Sequence, residues 1–102
     1  MVKMMETATV KFFAALRDIA GKREMKVRLP RKKTTVLEIL EDLSKALGKE
    51  FRDYMFEGRD CKSTRSQVSI MINGQSIRNL ENLNTMVRDN DVIAILPPIS
   101  GG

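Results

Sequence analysis

The 102-residue sequence contains no histidine, no tryptophan and only one cysteine, Cys61. Histidine is the commonest general base, the usual activator of a nucleophile and the commonest metal ligand. A lone cysteine can form neither an intrachain disulfide nor a thiolate metal cluster. These absences argue against a self-sufficient hydrolase, zinc protein or redox enzyme, and we expect no bound metal or other cofactor.

Long hydrophobic runs are also missing from the sequence. The longest, such as residues 92–96, are far too short to cross a bilayer. The first residues contain no apolar signal segment, so we expect a cytoplasmic protein without membrane contacts. A composition of 42% hydrophobic and 30% charged residues is typical of a single globular domain at this length.

Positive charge dominates the chain, which has a formal net charge of +5. The basic residues crowd one stretch: Lys22, Arg23, Lys26, Arg28, Arg31, Lys32 and Lys33. Only 5% of the residues are aromatic, so stacking platforms for nucleic acid are scarce. We therefore interpret the stretch as a solvated basic face, or one that attracts an acidic protein partner, rather than a nucleic-acid site.

The first third of the sequence predicts two strands and a short helix. Apolar residues alternate with polar ones over residues 7–12 and again over residues 25–29, as in half-buried strands. Between them, residues 14–20 have the pattern of a short helix that ends at Gly21. The spacing favours antiparallel pairing of the two strands.

The clearest helix is predicted to begin after Thr35. Thr35 and Glu38 have the spacing of a capping box, which satisfies two backbone N–H groups at the helix start. Apolar residues then recur at helical spacing on one stripe: Val36, Ile39, Leu40, Leu43 and Leu47. Gly48 is a natural residue to end this helix. The stripe indicates one helix packed on one core.

The remainder predicts one helical turn followed by a loop over residues 49–66, and then three strands. A strand over residues 68–72 leads through an Asn73-Gly74 hairpin into a short return strand over residues 75–77. After an irregular connector, a turn at residues 89–91 precedes Val92–Leu96, whose apolar character on both faces favours a central strand covered on both sides. This order predicts an α+β domain, one sheet against one main helix.

The chain ends in a stiff stem and two glycines. Pro97 and Pro98 favour an extended path, and the residues from Pro98 onward could span about 16–18 Å. Gly101 and Gly102 have no side chain, so this end could enter a very narrow channel. The Gly102 carboxylate, with a pKa of about 3.3–3.7, is ionised and a poor electrophile. The sequence contains no phosphate-binding loop that could help to activate it, so activation must come from another protein.

Two segments, residues 10–18 (VKFFAALRD) and residues 89–102 (DNDVIAILPPISGG), resemble the MoaD-like family, the small sulfur-carrier subunits of molybdopterin synthase. The resemblance implies a ubiquitin-like β-grasp fold. It would have a mixed sheet of four to five strands packed on one main helix, plus short helices. It also implies a β-grasp domain over residues 1–97 and an extended tail over residues 98–102.

The resemblance further implies a division of labour with partner enzymes. An E1-like enzyme that binds ATP would adenylate Gly102, and a sulfur donor protein would convert the adenylate to a thiocarboxylate. The tail would then enter the large subunit of molybdopterin synthase, which holds the catalytic residues. In this scheme Gly102 carries the sulfur, and Gly101, which has no side chain, lets the tail fit a narrow channel. The stem residues Pro97 and Pro98 contact the partner, together with the tail residues Ile99 and Ser100.

Four residues outside the tail are candidate partner contacts. Phe13 falls on the polar face of its strand, so it either packs beside the short helix or anchors a partner. Met71 and one of Ile95 or Leu96, of which we favour Leu96, could share that face and extend the surface. Arg17 matches the arginine that follows the Phe-Phe pair in the family, and it is either a salt-bridge donor to the partner or a solvated charge.

Other functions remain open at this point. The same activated Gly102 could be attacked by a lysine amine, which would make the chain a ubiquitin-like protein modifier. It could also be a carrier for thiamin thiazole synthesis, or an interaction module whose tail is never activated. The sequence assigns no role to residues 49–66 or to the basic stretch.

Overall fold

The computed structural model describes residues 6–29, 34–57, 63–64 and 68–96. Its elements begin with β1 (Glu6–Phe12), α1 (Ala15–Ala20), β2 (Glu24–Leu29), β3 (Thr34–Thr35), α2 (Val36–Leu47) and α3 (Lys49–Met55). They continue with β4 (Phe56–Glu57), β5 (Ser63–Thr64), β6 (Ser69–Ile72), β7 (Gln75–Ser76), β8 (Met86–Val87) and β9 (Val92–Leu96). The α+β class predicted from the sequence is confirmed.

The main sheet has five strands in the order β2-β1-β9-β6-β7. The β1–β2 pair is antiparallel, as its spacing predicts, and β6 pairs antiparallel with both β7 and β9. The β1–β9 pair alone among these is parallel, with Phe12 opposite Ile95. The last of the described strands, β9, therefore lies in the middle of a mixed sheet.

Helix α2 begins with the capping box predicted from its sequence. The backbone N–H of Glu38 donates to the Thr35 hydroxyl at 3.2 Å, and the Thr35 N–H donates to the Glu38 carboxylate at 3.4 Å. The predicted apolar stripe is buried against the sheet, except that Leu47 is only partly buried. Helix α1 also ends where predicted, at Gly21, whose φ of 74° is left-handed.

The segment after α2 differs from its prediction of one helical turn and a loop. Its first seven residues form α3, and the next two form β4, which pairs with β5. Phe51 and Met55 are fully buried, and the Phe51 ring meets the Phe12 ring edge-on at 6.3 Å between centroids. The side chains of Phe51, Met55 and Phe56 therefore complete the core.

The connector before β9 is also more ordered than predicted. It contains two short 3-10 helices, Ile77–Asn79 and Asn82–Asn84, and the strand β8, which pairs with β3. Ile77 belongs to the first of these helices rather than to the return strand. Two-residue strands have too few residues to show an alternating pattern, so the β3–β8 pair had no sequence signal.

The predicted turn at residues 89–91 is present, and it ties β9 to its neighbours. The Thr7 N–H donates to the Asp89 carboxylate at 2.9 Å, and the Asn90 N–H donates to the Thr7 carbonyl at 2.8 Å. On the other side, the Asn73 side-chain amide donates to the Asp91 carboxylate at 2.9 Å. These bonds link the start of β9 to β1 and to the β6–β7 hairpin.

No helix within the described ranges combines the length and the apolar character that a bilayer crossing requires.

We predict that Phe51→Ala destabilises the protein by about 3–5 kcal/mol, because it opens a cavity beside Phe12. Urea unfolding followed by circular dichroism measures this loss. The control is Lys49→Ala at an exposed position of the same helix, which should change stability by less than about 0.5 kcal/mol. Equal effects of the two substitutions would contradict a core role for α3.

Candidate functional site at the end of the central strand

Strand β9 ends at Leu96, directly before the tail. The predicted tail residues Pro97, Pro98, Ile99, Ser100, Gly101 and Gly102 lie outside the described residues, as does the predicted boundary between domain and tail. The four other candidates, Phe13, Arg17, Met71 and Leu96, are all described. The candidate site is therefore built from the sheet end from which the tail departs.

The parallel pairing of β1 and β9 brings two candidates to this end. Because Phe12 lies opposite Ile95, the next residues along the two strands, Phe13 and Leu96, lie at the same level of the sheet. On the other side of β9, Leu96 lies opposite Ser69. The end of β9 is thus flanked by the end of β1 and the beginning of β6.

Alternation along β9 decides which of its residues can meet a partner. Ile93 and Ile95 are 0% exposed and face the core, whereas Val92, Ala94 and Leu96 are half-buried on the opposite face of the sheet, here called the outer face. Leu96, and not Ile95, is therefore the residue available at the tail end. The sequence predicted that both faces of β9 would be covered. In the described part of the chain this is wrong, because the outer face is only half-buried.

Met71 lies on the outer face in the adjacent row. It is opposite Ala94 of β9, which in turn lies opposite Lys11 of β1. Its side chain is half-buried, like that of Leu96. We call Phe13, Met71, Ala94 and Leu96 the tail-side patch. The structure brings these three predicted contact residues together with Ala94, which sequence analysis missed because alanine carries little signal of its own.

Arg17 is held against the end of β1. Its Nε donates to the Phe12 carbonyl at 3.1 Å, and its guanidinium carbon lies 5.5 Å from the centre of the Phe13 ring. A cation over an aromatic face is attracted by the ring quadrupole. Of the two alternatives for Phe13, packing beside the short helix is present: the ring contacts Arg17 of that helix and is half-buried. A role as a partner anchor stays a prediction.

The corner between β1 and α1 makes this contact possible. Ala14 has a φ of 52°, which turns the chain sharply out of the sheet and into the helix. The guanidinium of Arg17 has five donors, of which one is used in the bond to Phe12. Arg17 therefore places an exposed cation beside the tail-side patch, where it can meet a carboxylate or phosphate of a partner.

A cavity lies elsewhere, between the end of α2 and the start of α3. It has a volume of about 460 Å³ and is lined by Glu41, Ser44, Lys45, Gly48, Lys49 and Arg52. None of the candidate residues lines it. Around the tail-side patch the arrangement presents an aliphatic and aromatic surface with a cation at its side, which suits binding of another protein.

Comparison with known proteins agrees with this architecture. The model of the ThiS family matches residues 10–102, which is nearly the whole chain. The chain belongs to the ThiS family. Its ubiquitin-like β-grasp fold and its identification as a ubiquitin-like sulfur-carrier type are thereby confirmed.

Individual relatives of this ThiS-family chain carry different names. A protein of Archaeoglobus fulgidus named "Putative sulfur carrier protein" is 30% identical over 89 residues, covering 76% of this chain and 98% of the relative. The solution structure of small archaeal modifier protein 1 from Methanosarcina acetivorans is 34% identical, with a TM-score of 0.77, and the match covers 98% of this chain and 100% of that one.

A third similar structure is the "Putative molybdopterin converting factor, subunit 1" of Pyrococcus furiosus. It is 27% identical with a TM-score of 0.70, and the match covers 92% of this chain and 99% of that one. The chain thus resembles both carriers and modifiers, and proteins of this kind are generally not catalysts themselves.

We predict that Ile95→Ala and Leu96→Ala differ strongly although the residues are adjacent. Ile95 is fully buried, so its truncation should cost about 2–5 kcal/mol, whereas loss of the half-buried Leu96 side chain should cost about 1 kcal/mol or less. Urea unfolding of both variants measures the difference. A larger loss for Leu96→Ala would mean that the outer face is covered.

Proposed function

We propose that this chain is a sulfur carrier whose Gly102 carboxylate is activated and charged by partner enzymes. The observation that carries the proposal is the position of β9. The last described strand lies in the middle of the sheet and ends beside a half-buried aliphatic surface. Six residues ending in Gly101-Gly102 follow it in the sequence. A rigid scaffold with a docking surface at the base of a thin terminus suits delivery of that terminus to another protein.

In the proposed first step, an E1-like enzyme supplies ATP. A Gly102 carboxylate oxygen attacks the α-phosphorus, pyrophosphate leaves, and an acyl adenylate forms. The adenylate is a good leaving group, which converts an unreactive carboxylate into an electrophile. Because the reaction consumes ATP, we place it in the cytoplasm.

In the second step, sulfur from a donor protein attacks the acyl carbon and AMP leaves. The attacking atom is the outer sulfur of a cysteine persulfide on the donor, so an acyl disulfide forms. A second thiol then attacks the donor's sulfur and forms a disulfide with it, and the terminus leaves as a thiocarboxylate, whose sulfur is a nucleophile. A large synthase subunit would hold the acceptor and receive the tail. Gly102 then carries the sulfur, Gly101 gives clearance, and Pro97 with Pro98 forms a stiff stem. Ile99 and Ser100 complete the inserted segment.

The proposal also names the molecule that receives the sulfur or the activated terminus, here called the acceptor. We favour the precursor of molybdopterin, since the tail sequence resembles the MoaD-like family and one similar structure is named a molybdopterin converting factor. The second candidate is conjugation to protein lysines, favoured by the 34% identity with an archaeal modifier protein. Both candidates share the adenylation step.

We predict that the full chain gains mass when it is incubated with an E1-like enzyme from the same source, ATP and a sulfide donor. The gain should equal the exchange of one oxygen for one sulfur, and intact-protein mass spectrometry detects it. The chain lacking Gly102 should fold normally and gain nothing, because the tail contributes little to stability. An unchanged mass of the folded full chain, with active enzyme, would contradict the carrier function.

Lysine conjugation is tested separately in cells. The last basic residue before the terminus is Arg88, so trypsin would leave a long remnant on a modified lysine. In the variant Ser100→Arg, trypsin would leave only Gly-Gly, which is readily detected on peptides. Such peptides would establish the modifier function, and their absence from cells in which the variant is charged would favour the carrier alone.

The tail-side patch leads to a further prediction. Met71→Glu places a charge on the β6 side of the patch and should slow charging by the E1-like enzyme about tenfold or more, since unpaired charge buried in an interface is costly. The matched control is Ala46→Glu, at an exposed position of α2. Initial rates of adenylation at equal protein concentration measure the effect. Equal rates for the two variants would place the docking surface elsewhere.

A further inference from the structure

Strand β2 forms one edge of the main sheet, and its second side is not paired with any strand in the part of the chain that the structure describes. It is six residues long and pairs with β1 along its whole length. The opposite edge is β7, which has two residues. The long edge offers backbone donors and acceptors of the kind to which another strand can pair.

The register shows which backbone groups point away from the sheet. The Phe12 N–H donates to the Arg23 carbonyl at 2.8 Å, so Arg23 faces β1. In an antiparallel pair, successive residues alternate between bonding to the partner and pointing away from it. The N–H and C=O groups of Glu24, Lys26 and Arg28 therefore point to the outside of the sheet.

The same three residues carry exposed side chains. Lys26 and Arg28 lie opposite Thr9 and Thr7 of β1, on the outer face. Lys22 and Arg23, just before the strand, are exposed as well. Glu24 is the single acidic residue of residues 22–28, and it lies opposite Lys11. The edge is thus lined by cations, with its one carboxylate placed beside another cation.

We propose that the β2 edge binds an extended acidic segment of a partner protein by adding it to the sheet as a further strand. Backbone bonds to Glu24, Lys26 and Arg28 would hold the segment. Its acidic side chains would occupy the outer-face positions beside Lys26 and Arg28, where opposite charges on neighbouring strands are stabilising. Six residues would span about 20 Å along the edge.

Charge selects this occupant over the alternatives. Antiparallel pairing of β2 with a second copy, centred on Lys26, would place the two Lys26 side chains opposite each other, which is destabilising and is offset only by Glu24–Arg28 pairs. An acidic segment meets no such conflict at Lys26. Nucleic acid could contact the cations, but β2 has no aromatic residue on which a base could stack. The edge is also separate from the tail-side patch, because β1 lies between β2 and β9. The proposal therefore does not depend on the chemistry of Gly102.

The test uses the full chain and a synthetic ten-residue peptide of alternating glutamate and valine, blocked at both ends. We expect binding that weakens with added salt, together with slower hydrogen exchange at the amides of Glu24, Lys26 and Arg28, measured by NMR. Protection at these alternate positions distinguishes strand addition from a loose attraction between charges. Binding without it, or no binding, would overturn the proposal.

Two variants separate charge from backbone pairing. The double variant Lys26→Glu, Arg28→Glu should bind the peptide about tenfold more weakly or worse. The control Lys45→Glu, Lys49→Glu changes charge equally on the helical side and should bind normally. Lys26→Pro removes an outward N–H while leaving the bonds to β1, since proline is tolerated at a free edge. It should abolish the protection.

Two other molecules could bind the β2 edge, nucleic acid and a second copy of the chain, and each is tested by its own measurement. An oligothymidylate that binds as tightly as the peptide, and loses affinity in the double charge variant, would overturn the proposal in favour of nucleic acid. Dimerisation of the unliganded chain that Lys26→Pro abolishes would overturn it in favour of self-pairing. The chain lacking Gly102 should bind the peptide unchanged, which keeps this result independent of the carrier function.

Discussion

The parallel ladder between β1 and β9 is the constraint on which the rest of the structure depends. A strand added last along the chain could simply extend an edge of the sheet, but here it is inserted between β1 and β6. Backbone bonds on both sides then hold the strand that precedes the tail. The turn at residues 89–91 supports this placement, since it bonds to Thr7 and Asn73 on either side. The tail therefore follows a strand that is paired on both sides.

The same insertion divides the sheet into regions with different properties. One face is packed on α2 and α3 and holds the core, including the contact between Phe12 and Phe51. The outer face is aliphatic where β9 ends and cationic along β2. The two surfaces proposed above, one for transfer enzymes and one for an acidic segment, therefore lie at different places on the sheet: the first at the end of β9 and the second along β2.

Periodic sequence patterns predicted the elements whose residues contact one face of the core over many positions. The α2 stripe and the β1–β2 pair are of this kind, whereas the turn before β9 was predicted from its Asp-Asn-Asp sequence. The sequence did not predict the regular structure of residues 49–57. The reason is that Phe51 and Met55 are buried against residues distant in sequence, such as Phe12. The β3–β8 pair was missed since two residues make no pattern. Long-range packing decided both.

The sequence by itself supplied the basis of the proposed chemistry: it contains no histidine and one cysteine, and the carboxylate after Gly101-Gly102 is the group that partner enzymes would activate. It also determined the main helix, because a capping box and an apolar stripe are local features. Only the tertiary structure decided that Leu96 faces outward and Ile95 inward. Because every residue of β9 is apolar, its sequence does not show which side faces the core, and the pairing with β1 determines it. Likewise, the edge position of β2 among the described strands arises from how distant segments pair, which no local pattern encodes.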